Sequence, residues 1–373
     1  MIDRKRLIEN FLSLTVIEGV SREEREAMEE VKRRLDRLGI KYTQDNAGEN
    51  FGGCCGNIIA HVPASGAGGT PFFMSAHVDT IQSSKGSPHI KDGVIYSDGN
   101  SVLGADDRAG VAQILEVIES AQEQNLEHPD ITLLFLVAEE IGLYGSKYID
   151  YSKFDCAFGF VFDSSADFGK IVSHAPTQLS FLINVLGKAA HGAIAPELGV
   201  HAIKIAADAI AKTDVGRVDP DSTVSIGTIH GGTKINVIPD RVEIKGEIRS
   251  LDDARIPDYQ KKIVNTFEGA AHHFGGKVTF QWDEAYKGFK LEKDHTLIRW
   301  IFRAMKNINI EPELIPFIGG SDANNFNANG IPTINLGQGY KKNHSIEEYI
   351  AVDDLVGLAQ LGYEVIKLSP QFS

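Results

Sequence analysis

A chain of 373 residues exceeds one ordinary domain of ~100–200 residues and suits two. Its 42% apolar and 24% charged fractions are those of a globular protein. A formal net charge of −14 without a sustained basic run argues against nucleic-acid partners, which need clustered Lys and Arg.

Residues 1–20 lack the basic start, apolar core and small-residue cleavage site of a signal peptide. No stretch approaches the ~18 apolar residues of a membrane helix, so no membrane association is expected. The cysteines Cys54, Cys55 and Cys156 are odd in number, which argues for a reducing compartment, the cytoplasm. No second Cys pair or neighbouring His completes a Cys-based metal site, and none is expected.

In chain order, residues 4–14 and 21–38 carry helical apolar spacing, the latter through Met28, Val31, Leu35 and Leu38. Continuous apolar runs at 58–62, 71–76, 131–138, 157–162 and 331–336 predict strands buried on both faces. Residues 109–120 form one helical face between them. The middle of the chain reads as βαββαβ: strands at 178–186, 223–229, 242–249 and 277–282, helices near 199–212 and 254–274. The expected fold is α/β: a helix-covered mixed sheet from residues 1–176 and 285–373, interrupted by an α+β ferredoxin-like domain at 177–284.

Chemistry-bearing residues gather where those strands end, which is where open α/β sheets bind ligands. His77 and Asp79 follow 71–76, Glu139 and Glu140 follow 131–138, and Asp163 follows 157–162. His344 comes after 331–336 and a Gly-rich turn, and Asp106-Asp107 precedes the 109–120 helix. Imidazole and carboxylate suit zinc. Asp106, Glu140 and Asp163 with His77 and His344 supply one bridging acid, plus one His and one acid per metal, for a two-zinc site. Asp79 is placed to hold the second nitrogen of His77, and Glu139 is free to act as general base.

Each feature alone has a plainer meaning. Asp106-Asp107 can cap a helix, Glu139-Glu140 can be a solvated turn, and His344 a loop bystander. Two histidines are poor company for calcium. No His-Glu-x-x-His, Gly-x-Ser-x-Gly or phosphate-cradling loop is present. The shared position at strand ends favours the metal.

The chain resembles the M20 metallopeptidases, in their peptidase T-like branch. The carrying segments are Ser75-Ala76-His77-Val78-Asp79-Thr80, Gly104-Ala105-Asp106-Asp107, Ala138-Glu139-Glu140, Phe162-Asp163, Ala190-His191-Gly192, Asn236-Val237-Ile238-Pro239, Gly319-Gly320-Ser321-Asp322 and Asn343-His344. The resemblance implies that Asp106 bridges two zinc ions, with cobalt or manganese as alternatives. His77 and Asp163 would complete one site, Glu140 and His344 the other, with Glu139 as base and Asp79 orienting His77. The inserted domain would be a lid and the contact of a homodimer. His191 would hold the oxyanion, and Asn236, Arg249, Gly320 and Ser321 would contact substrate. The implied activity is amide hydrolysis in small peptides, as an aminopeptidase.

Alternatives are an N-acyl amino acid deacylase or dipeptidase on the same scaffold, or a non-catalytic metal-binding regulatory protein. One residue departs from the pattern. Ile318 stands where peptidase T carries an Arg before the Gly-Gly pair, and an apolar side chain cannot anchor a carboxylate.

Overall fold

The computed structural model describes residues 1–66 and 68–372. The chain divides into two compact units. One comprises Met1–His174, Lys290–Pro316 and the residues from Ser321 onward; the other comprises Ala175–Phe289 and Phe317–Gly320. The sequence pattern assigns 317–320 to the larger part, whereas the segment clusters with the smaller unit.

The larger unit is built on a nine-stranded sheet. Its path runs Lys41–Gln44, Ile58–Val62, Ile131–Leu136, Phe72–His77, Phe158–Ser164, Thr333–Gly337, Lys170–Ala175 and Phe289–Lys290, with Glu313–Pro316 beside Lys170–Ala175. The four strands from Ile131–Leu136 to Thr333–Gly337 are mutually parallel. Every residue of Phe72–His77 and Ile131–Leu136 is buried, as strands covered on both faces require. His77 pairs with Leu136, and Gly337 with Ser164. These strands therefore end level, and the residues just beyond their ends gather in one place.

Helix Ala105–Glu123 packs on Phe72–His77 and Phe158–Ser164, and the short helix Asp322–Ala328 packs on Phe158–Ser164 and Thr333–Gly337. Trp300, on helix Thr296–Asn307, is wholly buried. It meets Phe72 and Phe160 edge-on and stacks on Phe372 at 4.8 Å, geometries that aromatic quadrupoles favour.

Two local departures shape the site. The 131–138 run leaves the sheet at Leu136. Val137 N then donates to the Asn57 side chain, and Ala138 takes φ +53°, so Glu139 and Glu140 lie on a turn. The predicted 109–120 helix runs Ala105–Glu123, but Asp106 and Asp107 at its start have non-helical backbone. The Asp107 carboxylate accepts from Gly110 N at 3.2 Å, which starts the regular turns one step later. A Cβ at Gly110 would run into the Phe162 carbonyl and the Asp107 carboxylate.

The smaller unit has its own apolar core, including Phe181, Ile183, Ile205, Ile244, Ile263 and Phe267. Its five-stranded antiparallel sheet has the order Gly216–Asp219, Ser222–Gly231, Arg241–Ser250, Thr177–Leu186, Lys277–Tyr286. Helices Ala202–Lys212 and Ile256–Phe274 pack against it. This is the βαββαβ order with one added edge strand.

Replacing Trp300 by Ala is expected to cost about 3–5 kcal/mol, the usual penalty for emptying a large aromatic site. Urea unfolding measures it; a loss below about 1 kcal/mol would contradict the packing described.

Candidate metal centre

The strand ends bring His77, Asp106, Asp163, Glu139, Glu140 and His344 together. Asp106 lies at the middle. Its Oδ1 is 3.2 Å from His77 Nε2 and its Oδ2 is 3.3 Å from His344 Nε2. Asp163 Oδ1 is 3.6 Å from His77 Nε2, and Glu140 Oε2 is 2.9 Å from His344 Nε2. The donor atoms form two groups, His77–Asp106–Asp163 and Asp106–Glu140–His344, each within 4.8 Å and sharing Asp106. Glu139 Oε2 reaches 3.9 Å from His77 Nε2 but belongs to neither group.

Backbone and polar contacts hold each side chain in place. The second nitrogen of His77, Nδ1, lies 3.1 Å from the Asp79 carbonyl and 3.3 Å from its carboxylate. Asp79 also accepts from Glu139 N at 3.0 Å, Glu140 N at 3.2 Å and Ser21 Oγ at 2.7 Å. One carboxylate thus fixes both the imidazole and the acidic turn. Asp163 is held by Asn335, whose side chain accepts from Asp163 N at 3.0 Å and donates to its carbonyl at 2.8 Å. His344, at φ +61°, sits on a turn closed by paired Lys341–Tyr349 backbone bonds, and the Asn343 amide donates to Asp106 Oδ2 at 2.9 Å.

Several supports are not marked in the sequence. Glu348 is buried and accepts from Gly104 N at 2.8 Å and Asp106 N at 3.1 Å. Gln338 donates to the Asp107 carboxylate and to the Phe162 carbonyl, and Tyr340 OH lies 3.3 Å from Asp163 Oδ1. They act through contacts with residues far away in sequence, and no spacing marks them. The helix-cap meaning of Asp106-Asp107 holds for Asp107, which also accepts from His77 N at 3.1 Å, but not for Asp106.

The remaining predicted residues fall into two neighbourhoods. In the smaller unit, His191 and Asn236 adjoin: Gly192 N donates to the Asn236 carbonyl at 2.9 Å, and both residues are exposed. His191 Nδ1 accepts from Ala193 N and Ile194 N, which leaves the neutral ring's proton on Nε2. Arg249 donates to Glu247 at 2.8 Å. Gly320 packs against Tyr286, where any side chain would collide with the ring. Ser321, in the larger unit, is buried and caps helix Asp322–Ala328 through a capping box with Asn324, a structural task beyond the substrate contact expected of it.

The donor set fits a pair of metal ions. Among the described residues, the basic groups within 4 Å of the Asp106, Asp163, Glu139 and Glu140 carboxylates are the two imidazoles. Burial, reinforced by neighbouring acids, pushes Glu139 well above the usual carboxylate range, Glu140 up to about 7 and Asp163 up to about 6. Burial opposes charge on His77, yet Asp163, Asp106 and Asp79 outweigh it and raise the imidazole well above its usual range. Asp106 and Glu140 lift His344 to about 10. Burial would raise Asp106 too, but the two imidazoles hold it below the usual range. So many buried acids beside imidazoles match what imidazole–carboxylate metal sites require.

Residues 73–368 match peptidase family M20/M25/M40. The uncharacterized protein YqjE of Bacillus subtilis (strain 168) is 35% identical, over 98% of this chain and 99% of its own length. The crystal structure of an aminopeptidase PepT from Bacillus cereus is 36% identical, with a TM-score of 0.89 over 98% of both chains. That of a tripeptidase from Staphylococcus aureus is 34% identical, with a TM-score of 0.94 over the full length of both. The chain belongs to peptidase family M20/M25/M40. It is a metallopeptidase of peptidase T-like kind.

The raised carboxyl pKa values have a sign. Through these three carboxyls the folded metal-free protein holds more protons than the unfolded chain between about pH 4 and 7, so their contribution to stability falls as pH rises through that window. The raised imidazoles act in the same direction up to their folded pKa, while the lowered Asp106 contributes fully by pH ~5 and changes little beyond. Chelator-treated protein is therefore expected to melt at lower temperature at about pH 8 than at about pH 5, with added zinc raising Tm more at the higher pH. A metal-free protein equally stable at both, with no response to zinc, would contradict the site.

Proposed function

We propose that this chain is a two-zinc aminopeptidase of the cytoplasm, acting on small peptides with a free amino terminus. The observation that carries the reading is Asp106, whose two carboxylate oxygens face two different imidazoles. His77 and Asp163 would hold one ion, Glu140 and His344 the other, and Asp106 both. Bound there, the zinc pair supplies Lewis acidity that polarises the scissile carbonyl and acidifies water.

The protein's own groups do the rest. Glu139 receives the proton of the attacking water on its carboxylate and passes it to the departing amine. The Asp79 carboxylate keeps Glu139 in place through its backbone N–H while also holding the His77 ring. His191, with its proton on Nε2, suits the task of donor to the developing oxyanion. Asn236, Gly320 and Ser321 are assigned to substrate binding, and the smaller unit to homodimerisation, on the family resemblance. On the same resemblance Arg249, a side chain shaped for bidentate contact, is assigned to the peptide's terminal carboxylate, while Ile318 brings no charge to that task.

The test is an assay on di- and tripeptides, each with a free and an acetylated amino terminus, for wild type and Glu139→Gln. Wild type is expected to cleave the free forms and spare the acetylated ones. Glu139→Gln is expected to lose at least about 10²-fold in kcat at unchanged metal content. Full activity in the variant would overturn the role of Glu139, and preference for acetylated substrates would favour the N-acyl amino acid deacylase.

A further inference from the structure

A second cluster of metal-type donors lies apart from the residues used above. Cys54 and Cys55 are free thiols, both partly exposed. Their sulfurs lie 3.6 Å apart, and Cys54 Sγ is 4.0 Å from Glu24 Oε2. One donor atom from each of the three residues fits within a 4.8 Å cluster. The sequence alone argues against a cysteine metal site, because no His or second Cys pair stands nearby. What the fold adds is a carboxylate from a segment 30 residues earlier in the chain.

The arrangement is built by the local chain. Cys54 N donates to the Arg22 carbonyl at 3.0 Å, and the Arg25 side chain donates to the Cys54 carbonyl at 2.5 Å. Both contacts pin the thiol loop to the start of helix Arg25–Arg37. Gly48 permits the fold-back, since a Cβ there would collide with the Cys55 carbonyl. Glu24 is fully buried and its Oε1 accepts from Arg22 N at 2.8 Å and Ala138 N at 3.1 Å. Oε2 faces the sulfur.

We propose that Cys54, Cys55 and Glu24 form a site for one soft divalent cation of the zinc and cadmium class, distinct from the centre shared by Asp106. Thiolate ligands at the usual ~2.3 Å from zinc and sulfurs 3.6 Å apart define a near-tetrahedral angle at one ion. Water completes the coordination. Binding exchanges the two thiol protons for the cation and releases them to solvent, so charge and atoms balance. Soft donors select such ions over magnesium or calcium. Occupancy also touches the carboxylate that holds the Ala138 amide, one residue before Glu139. The inference goes beyond the peptidase reading and stands or falls independently of it.

Cadmium is the probe, because its bond to thiolate gives an ultraviolet charge-transfer band that imidazole and carboxylate ligands do not. Cadmium, the softer ion, displaces any zinc held by the two thiolates, so titrating the zinc-loaded protein is expected to raise this band to saturation at one cadmium per chain. Cys54→Ser and Cys55→Ser should each weaken it at least tenfold, while Cys156→Ser leaves it intact. Circular dichroism checks folding of the variants, and capping wild type with the bidentate dithiol reagent phenylarsine oxide should remove the band without any substitution. No band in wild type, or a band that survives phenylarsine oxide, overturns the proposal.

Discussion

The site turns on one buried carboxylate placed between two imidazoles. Like charges about 4 Å apart repel by roughly 4 kcal/mol at an effective dielectric near 20, so packing Asp106, Asp163, Glu139 and Glu140 together is costly. His77 and His344 offset part of that cost, and a pair of divalent cations held there would offset the remainder while turning the same charges into ligands. Around Asp106 the protein devotes its polar groups to position: Glu348 holds its backbone amide and Asn343 one of its oxygens. Asp79 serves two masters, the His77 ring and the amides of Glu139 and Glu140. A shift of Asp79 would move His77 and Glu139 together.

Much of this is legible in the sequence because the sheet is buried on both faces. Continuous apolar runs at 71–76, 157–162 and 331–336 mark strands within one or two residues of Phe72–His77, Phe158–Ser164 and Thr333–Gly337. A polar residue that interrupts such a run stands out, as His77 and Asp163 do. His344 is harder to read, since a turn separates it from its strand, and family resemblance carries it. The βαββαβ pattern of the smaller unit is readable from periodicity, but its extra strand Gly216–Asp219 is short and partly exposed.

What the sequence conceals has a common physical form. Glu348, Gln338 and Asn335 act on backbone N–H and carbonyl groups between 172 and 244 positions away, and backbone groups carry no identity in a sequence. Ser321 also caps helix Asp322–Ala328, a task its place in the Gly-Gly-Ser segment does not announce. The cysteine pair fails a rule that counts only nearby Cys and His. Glu24 enters that cluster because the turn at Arg22 and the loop before Gly56 fold against each other, a long-range fact no local pattern encodes.

The most direct measurement of the central claim is anomalous X-ray diffraction at the zinc edge from crystals of the zinc-loaded protein. The account predicts two peaks about 3.5–4 Å apart, the spacing of paired-metal sites, one between Asp106 and His77 and the other between Asp106 and His344. A single peak, or two peaks that do not share Asp106, would contradict it.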